Sequence, residues 1–231
     1  FGGDISKSLS EQFDEIKETL SKKWPSGKYI AYFQAHTNTY APLSVLKEKY
    51  ESVLKKDNVI GIAIATRPDA IEDEVLDYLE ELNKNTDVTL ELGLQTIHED
   101  TAKLINRCHS LNQFEEMVKK LRKRNIEVVV HIINGLPYET KEMMIETVKY
   151  LNHLDINGIK IHMLNIVKDT PLATLYQEKK FKVLSKEEYI DIVIQQLEYL
   201  RPEIVIHRIT SDPDPENLIE PTWLIKKFCV L

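Results

Sequence analysis

The 231 residues carry 30 Lys and Arg against 37 Asp and Glu, a formal net charge of −7, with 42% hydrophobic and 29% charged residues. This is the balance of an ordinary globular chain. It opposes tight nonspecific binding to nucleic acid, and no apolar run approaches the ~20 residues of a membrane span. Two cysteines, Cys108 and Cys229, are too few for a disulfide framework and fit a reducing cytoplasm.

Residues 8–23 read as a helix. Ser8 with Glu11 forms a capping box, and Phe13, Ile16 and Leu20 recur at helical spacing. After a Pro25-Ser26-Gly27 turn, residues 29–36 read as a strand ending in Gln34 and His36. Pro42 opens a helix carrying Leu43, Leu46, Tyr50 and Val53. Residues 59–65 are wholly apolar, as in a parallel strand buried on both faces, and lead into Thr66-Arg67-Pro68-Asp69. A helix with Val75, Leu76 and Leu79 follows.

In residues 89–95, Leu90, Leu92 and Leu94 alternate with Thr89, Glu91, Gly93 and Gln95, which is strand periodicity. Burying a bare carboxylate is costly, so the Glu91 face is either solvated or the wall of a polar cavity. Helices over 99–107 and 111–124 come next, then an apolar strand over 127–133 closing on Asn134-Gly135-Leu136-Pro137. Thr140 caps a helix over 141–154. Residues 158–165 form a strand with Lys160 and His162 on one face. A short helix near 172–178, a capping-box helix from Ser185 to about residue 200, a strand over 204–209 ending in His207-Arg208, and a short helix over 223–231 complete the chain.

This alternation is the βα repeat of a parallel sheet, with no shift in composition to mark a second domain. Polar residues gather at strand ends: Gln34/His36, Arg67/Asp69, Glu91/Gln95, His131/Asn134, His162/Asn165/Lys168 and His207/Arg208. Chemistry sits at the C-terminal strand ends of a (β/α) barrel. An open doubly wound sheet gathers its ligand at one switch point, and no Gly-x-Gly-x-x-Gly is present. The pattern favours the TIM-type barrel.

Taken singly, these residues leave alternatives open. Glu91 suits an ammonium group or an internal Lys or Arg, and Gln95 suits ribose hydroxyls. Arg107 either folds back to hold a carboxylate or caps a helix end. Gly135 allows close backbone approach. Lys160 is a Schiff-base lysine or the partner of an inward carboxylate. His131 and His162 lack a second ligand at metal spacing, which favours hydrogen bonding over metal binding. The basic run 119–124 reads first as a solvated helix face.

Together the motifs resemble the radical S-adenosylmethionine (SAM) superfamily. Leu90-Glu-Leu-Gly-Leu-Gln-Thr96 with Asn106-Arg107, and Gly135-Leu-Pro-Tyr-Glu-Thr140, resemble the branch of oxygen-independent coproporphyrinogen oxidase, the methylthiotransferases and the elongator catalytic subunit. Residues 32–39, Thr66-Arg-Pro-Asp69, 158–162, 166–168 and His207-Arg-Ile-Thr210 resemble the YhcC-like group. The resemblance implies a partial (β/α) TIM-type barrel over residues 1–231, lacking its first strand, with a strand-and-loop extension over 201–231.

It also implies reductive cleavage of SAM to a 5′-deoxyadenosyl radical by a 4Fe–4S cluster, fed by a reductant such as flavodoxin or ferredoxin. Arg107 would hold the SAM carboxylate, Gln95 the ribose, and Glu91 the methionyl end. The strand before Gly135 would contribute to the ribose or adenine site, with His131 where the coproporphyrinogen oxidase pattern has an acid. Gln34, His36, Arg67, Lys160, His162, Lys168, His207 and Arg208 would ring a substrate pocket. Their charge points to a small polar or anionic substrate, with nucleic acid left open as a partner and a membrane not expected. Cys-x-x-x-Cys-x-x-Cys is absent and the chain begins at Phe1-Gly2-Gly3, so the cluster ligands are expected upstream and the fragment is expected to be inactive. The alternatives are a Schiff-base barrel enzyme using Lys160 and a binding protein that has lost its cluster.

Overall fold

Six parallel strands alternate with helices in the computed structural model, which describes residues 6–34 and 36–229. The chain divides into two compact units, Phe1–Gly93 with Glu116–Val128, and Leu94–Glu115 with Val129–Leu231.

In the first unit, β1 (Tyr29–Phe33), β2 (Val59–Thr66) and β3 (Asp87–Gln95) run parallel. The apolar residues of the sequence pattern choose one face. Ile62 pairs with Val88 and Ile64 with Leu90, and all four are buried. Phe33, in register with Ile64, meets the ring of Tyr50 from α2 (Leu43–Leu54) edge-on at 5.1 Å. This face is therefore the helix side. Each side chain fully buried there contributes roughly 1.5–3 kcal/mol. The capping box that starts α1 (Leu9–Ser21) forms as its residues predict. Residue 35, within the predicted first strand, and residues 230–231, within the predicted last helix, lie outside the described residues.

Helix α3 (Asp73–Asn83) carries acids that take up the basic run. Lys120 on α5 (Leu111–Lys123) reaches Asp73 at 2.9 Å, and Arg124 reaches Asp77 at 2.9 Å and Glu80 at 3.2 Å. That run is an ion-paired helix face.

In the second unit, β4 (Glu127–Asn134), β5 (Gly158–Met163) and β7 (Val205–Arg208) run parallel. Val130 pairs with Ile159, Ile132 with Ile161, and Asn134 with Met163. Helices α6 (Lys141–Leu151) and α8 (Lys186–Tyr199) cover this face. The buried Asn134 amide exchanges two hydrogen bonds with Gln196 of α8 at 2.8 and 2.9 Å, so its place at a strand end is structural.

Three segments depart from expectation. Helix α4 (Glu99–Leu104) stops short of residue 107, because Asn106 and Cys108 take left-handed φ values of 53° and 67°. Strands β6 (Ile166–Val167) and β8 (Leu218–Glu220) form an antiparallel ribbon that sequence periodicity did not announce. The last helix is a 3₁₀ segment, Thr222–Cys229, preceded by the short α7 (Pro171–Gln177) and α8 in chain order. Among the described residues, no helix is long and apolar enough to cross a membrane.

Candidate cofactor and substrate sites

The polar face of β3 acquires a specific partner in the first unit. Parallel register sets Tyr32 beside Ala63, and Ala65 beside Glu91. All these residues sit on the face away from the helices. Because the intervening positions of β2 on that face, Gly61, Ala63 and Ala65, are small, the Tyr32 ring can reach across β2. Its hydroxyl donates to Glu91 Oε2 at 2.7 Å, and Glu91 is only 5% exposed. A phenol is thus one donor to this carboxylate, a partner that the sequence did not announce. A hydrogen bond to a buried carboxylate contributes about 1.5–3 kcal/mol.

Gln95 closes β3 with φ +67° and is half-buried. Strand alternation therefore ends at this residue, and its side-chain direction does not follow from that of Glu91. Arg107 lies between the two left-handed residues, and its backbone N–H closes on Ala102 O at 2.9 Å. Its side chain is 2% exposed. The guanidinium donates to Thr96 O at 2.6 Å, Leu94 O at 3.4 Å and His109 O at 2.9 Å, and pairs with Glu99 at 2.9 Å. The planar fork is engaged by the exit of β3 and by the turn that follows α4.

Gly135 has φ +84°, which a side chain would make strained. A Cβ there would meet Met163 Cε at 3.1 Å and Leu184 Cδ1 at 3.3 Å. The space a side chain would need is thus taken by the chain's own Met163 and Leu184. The same motif contains a residue that sequence reasoning passed over. Glu139 accepts from the Thr96 hydroxyl, and burial raises its carboxyl above the ordinary range despite that bond and the nearby His98. Two polar residues at the ends of neighbouring motifs were the available signal. A carboxyl raised in the folded state favours folding while protonated and opposes it as the pH rises through the folded value. Glu139→Gln is therefore expected to raise stability in urea denaturation at pH 8. The gain should vanish as the pH falls toward the ordinary carboxyl value of 4.5.

The face of β4, β5 and β7 turned away from α6 and α8 gathers cationic and imidazole side chains. His131 lies in register with Lys160, and Lys160 with Arg208. His162 Nε2 is 3.2 Å from His131 Nδ1, and the rings stack with centroids 5.0 Å apart. Between Ile159 and Lys160 the register with β7 shifts, which places Arg208 opposite Lys160 and leaves His207 in the bulge. A Cβ on Gly158 would stand 2.5 Å from His207 Nε2, so that imidazole rests on the bare glycine. The structure thus brings His131, Lys160, His162, His207 and Arg208 together.

The remaining predicted pocket residues are described within their own units. Arg67 forks onto its neighbour Asp69, with Nε to Oδ1 at 3.0 Å. Lys168 donates to Glu216 O at 2.6 Å and belongs to the β6–β8 side. Gln34 and His36 are exposed past the end of β1.

A 4Fe–4S cluster needs cysteine thiolates. Of the two cysteines, Cys108 is exposed and its Sγ donates to Asn106 O at 2.9 Å. Among the described residues, no group of three or more His, Cys, Asp or Glu could hold a metal ion. The residues present do not fit the cluster.

Two family models match. Residues 2–151 match the Radical SAM superfamily, and residues 156–231 match the Radical_SAM C-terminal domain. The uncharacterized protein YtqA of Bacillus subtilis strain 168 is 52% identical over 100% of this chain and 72% of its own length. Protein YhcC of Escherichia coli K12 is 32% identical over 94% of this chain and 70% of its own. Among solved structures, an N-terminally deleted Elp3 from Methanocaldococcus infernus superposes with a TM-score of 0.78 at 18% identity, over 96% of this chain and 60% of that one. That likeness shows a shared fold, the mixed α/β partial TIM-type barrel. On the match over residues 2–151 and these identities, the chain belongs to the radical SAM superfamily, among its YhcC-like and elongator-related members.

Proposed function

We propose that this chain is the SAM-binding part of a radical SAM enzyme acting on a small polar or anionic substrate. The observation that carries the reading is the superfamily match over residues 2–151. The cluster, when bound, supplies the electron that cleaves SAM to the 5′-deoxyadenosyl radical. The electron would come from a reductant such as flavodoxin or ferredoxin. Because two cysteines cannot hold the cluster, its ligands would have to come from outside these 231 residues.

Within the chain, Gln95 and His131 are proposed as the polar contacts to the adenosine of SAM. The basic face of β4, β5 and β7 is proposed to receive the substrate. No observation in the fold favours the Schiff-base alternative for Lys160.

The test is SAM binding to the 231-residue chain by equilibrium dialysis. Saturable binding is expected. Gln95→Asn, which shortens the amide while tolerating a left-handed backbone, should weaken it about three- to tenfold, the loss of one hydrogen bond. No binding by the parent chain would overturn the proposal, and unchanged affinity in the variant would remove Gln95 from it.

A further inference from the structure

Just beyond β7 the chain forms a strap, residues 209–212, held at two points. The Tyr189 hydroxyl donates to Ile209 O at 2.8 Å, and the Ser211 hydroxyl donates to Met163 O at the end of β5. Thr210, between these anchors, is 9% exposed. Its Oγ1 is buried with no hydrogen-bond partner among the described residues. A buried hydroxyl without a partner destabilises a fold, so the rest of such a strap ordinarily satisfies it. Here both neighbours are tied down and Thr210 is left with an open donor and acceptor.

The same strap lines an open pocket of about 400 Å³ with His207, Arg208, Thr210, Ser211 and Asp212. Two features of the strand set the lining residues Arg208 and His207. The bulge turns Arg208 to stand opposite Lys160, and the bare Gly158 seats the His207 imidazole. The lining holds one guanidinium, Arg208, and one carboxylate, Asp212, so selection of an oxyanion would rest on the guanidinium fork and on the open hydroxyl rather than on net charge.

We propose that the β7 strap is an oxyanion subsite, in which a phosphate or carboxylate group of the substrate sits against Arg208 and His207 and takes a hydrogen bond from the Thr210 hydroxyl. This rests on the reading of the basic face as the substrate side. A guanidinium recognises either oxyanion through its planar fork, and the hydroxyl supplies a donor that no described residue uses.

The test follows the histidine Cε1 resonances of the 231-residue chain while sodium phosphate, and separately sodium acetate, is titrated to about 20 mM, roughly twentyfold above a millimolar Kd. The His207 signal, assigned by its loss in His207→Gln, should move saturably with at least one anion, and the tighter one identifies the source. Thr210→Val should weaken that binding about fivefold or more while the thermal midpoint stays equal or rises, because the lost hydroxyl had no partner. Thr210→Ser should bind as the parent does.

A purely structural Thr210 would instead lower the midpoint in the Val variant and leave anion binding alone. Should Thr210→Val fail to fold, Arg208→Gln at the half-buried end of the edge strand provides the same readout. No saturable shift with either anion, or unchanged affinity in the folded variant, overturns the subsite. SAM binding is measured on the same samples. Its loss would count against the proposed function, whereas failure of anion binding with SAM binding intact counts against the subsite alone.

Discussion

Arg107→Ala is expected to lower the unfolding free energy by about 1–3 kcal/mol, the usual consequence of leaving buried acceptors without their donor, with little added by the half-exposed Glu99. The reason lies in what the guanidinium leaves behind. Leu94 O, Thr96 O and His109 O lose their donor, and Glu99 loses its counter-charge. The Glu99 carboxyl is pushed up by burial, but the Leu111 N–H and the Arg107 guanidinium outweigh that and hold it below its ordinary value of 4.5. A lowered folded-state value contributes stability that is present above 4.5 and is lost as the pH falls through the folded value. The parent should therefore lose stability on acidification below that point, and Arg107→Ala should lose less. Urea denaturation at pH 7 and at pH 4 measures both. An Arg107 whose main task is to hold the SAM carboxylate would behave differently, with SAM affinity falling about tenfold or more and the urea midpoint unmoved.

The same residue shows what a sequence conveys and what it withholds. The alternation of Leu90, Leu92 and Leu94 announced β3, and the buried pairs Ile62–Val88 and Ile64–Leu90 place that apolar face against the helices. The Ser8 and Ser185 capping boxes are local, each closed within four residues, and both formed. Arg107 was legible as a residue that folds back, but its acceptors were not. They depend on left-handed turns at Asn106 and Cys108, neither of which is glycine. Tyr32 and Glu91 meet only because β1, β2 and β3 take a particular register and the middle strand has alanines there. Registers between strands are tertiary facts, and nothing within a single strand encodes them. The β6–β8 ribbon joins segments two and three residues long from distant parts of the chain, below the length at which period-2 alternation can be read. Glu139 was hidden for another reason. Its environment, with Thr96 bonded to it and burial around it, comes from residues far away in sequence.

The second large effect concerns the seat of His207. Alanine in a regular element is ordinarily favoured over glycine by roughly 0.5–1 kcal/mol, so Gly158→Ala in β5 would stabilise if nothing stood nearby. The added Cβ instead meets His207 Nε2 at 2.5 Å, His207 Cδ2 at 2.6 Å and Val205 O at 3.1 Å. Two of these three atoms belong to one movable ring, and the third is backbone of the edge strand. The expected outcome is a net loss of about 1–3 kcal/mol, the scale of overpacking, together with displacement of the imidazole from the sheet face. His207→Ala removes the ring and leaves only the carbonyl contact. In that background Gly158→Ala should therefore cost less than half as much, a coupling that a double-mutant cycle in urea isolates. Equal costs in the two backgrounds would mean that the glycine serves the β7 backbone and that His207 lies there incidentally. A large coupling would mean that the chain accepts a glycine inside a strand, with its loss of packing and backbone entropy, in order to hold one imidazole beside Lys160 and Arg208.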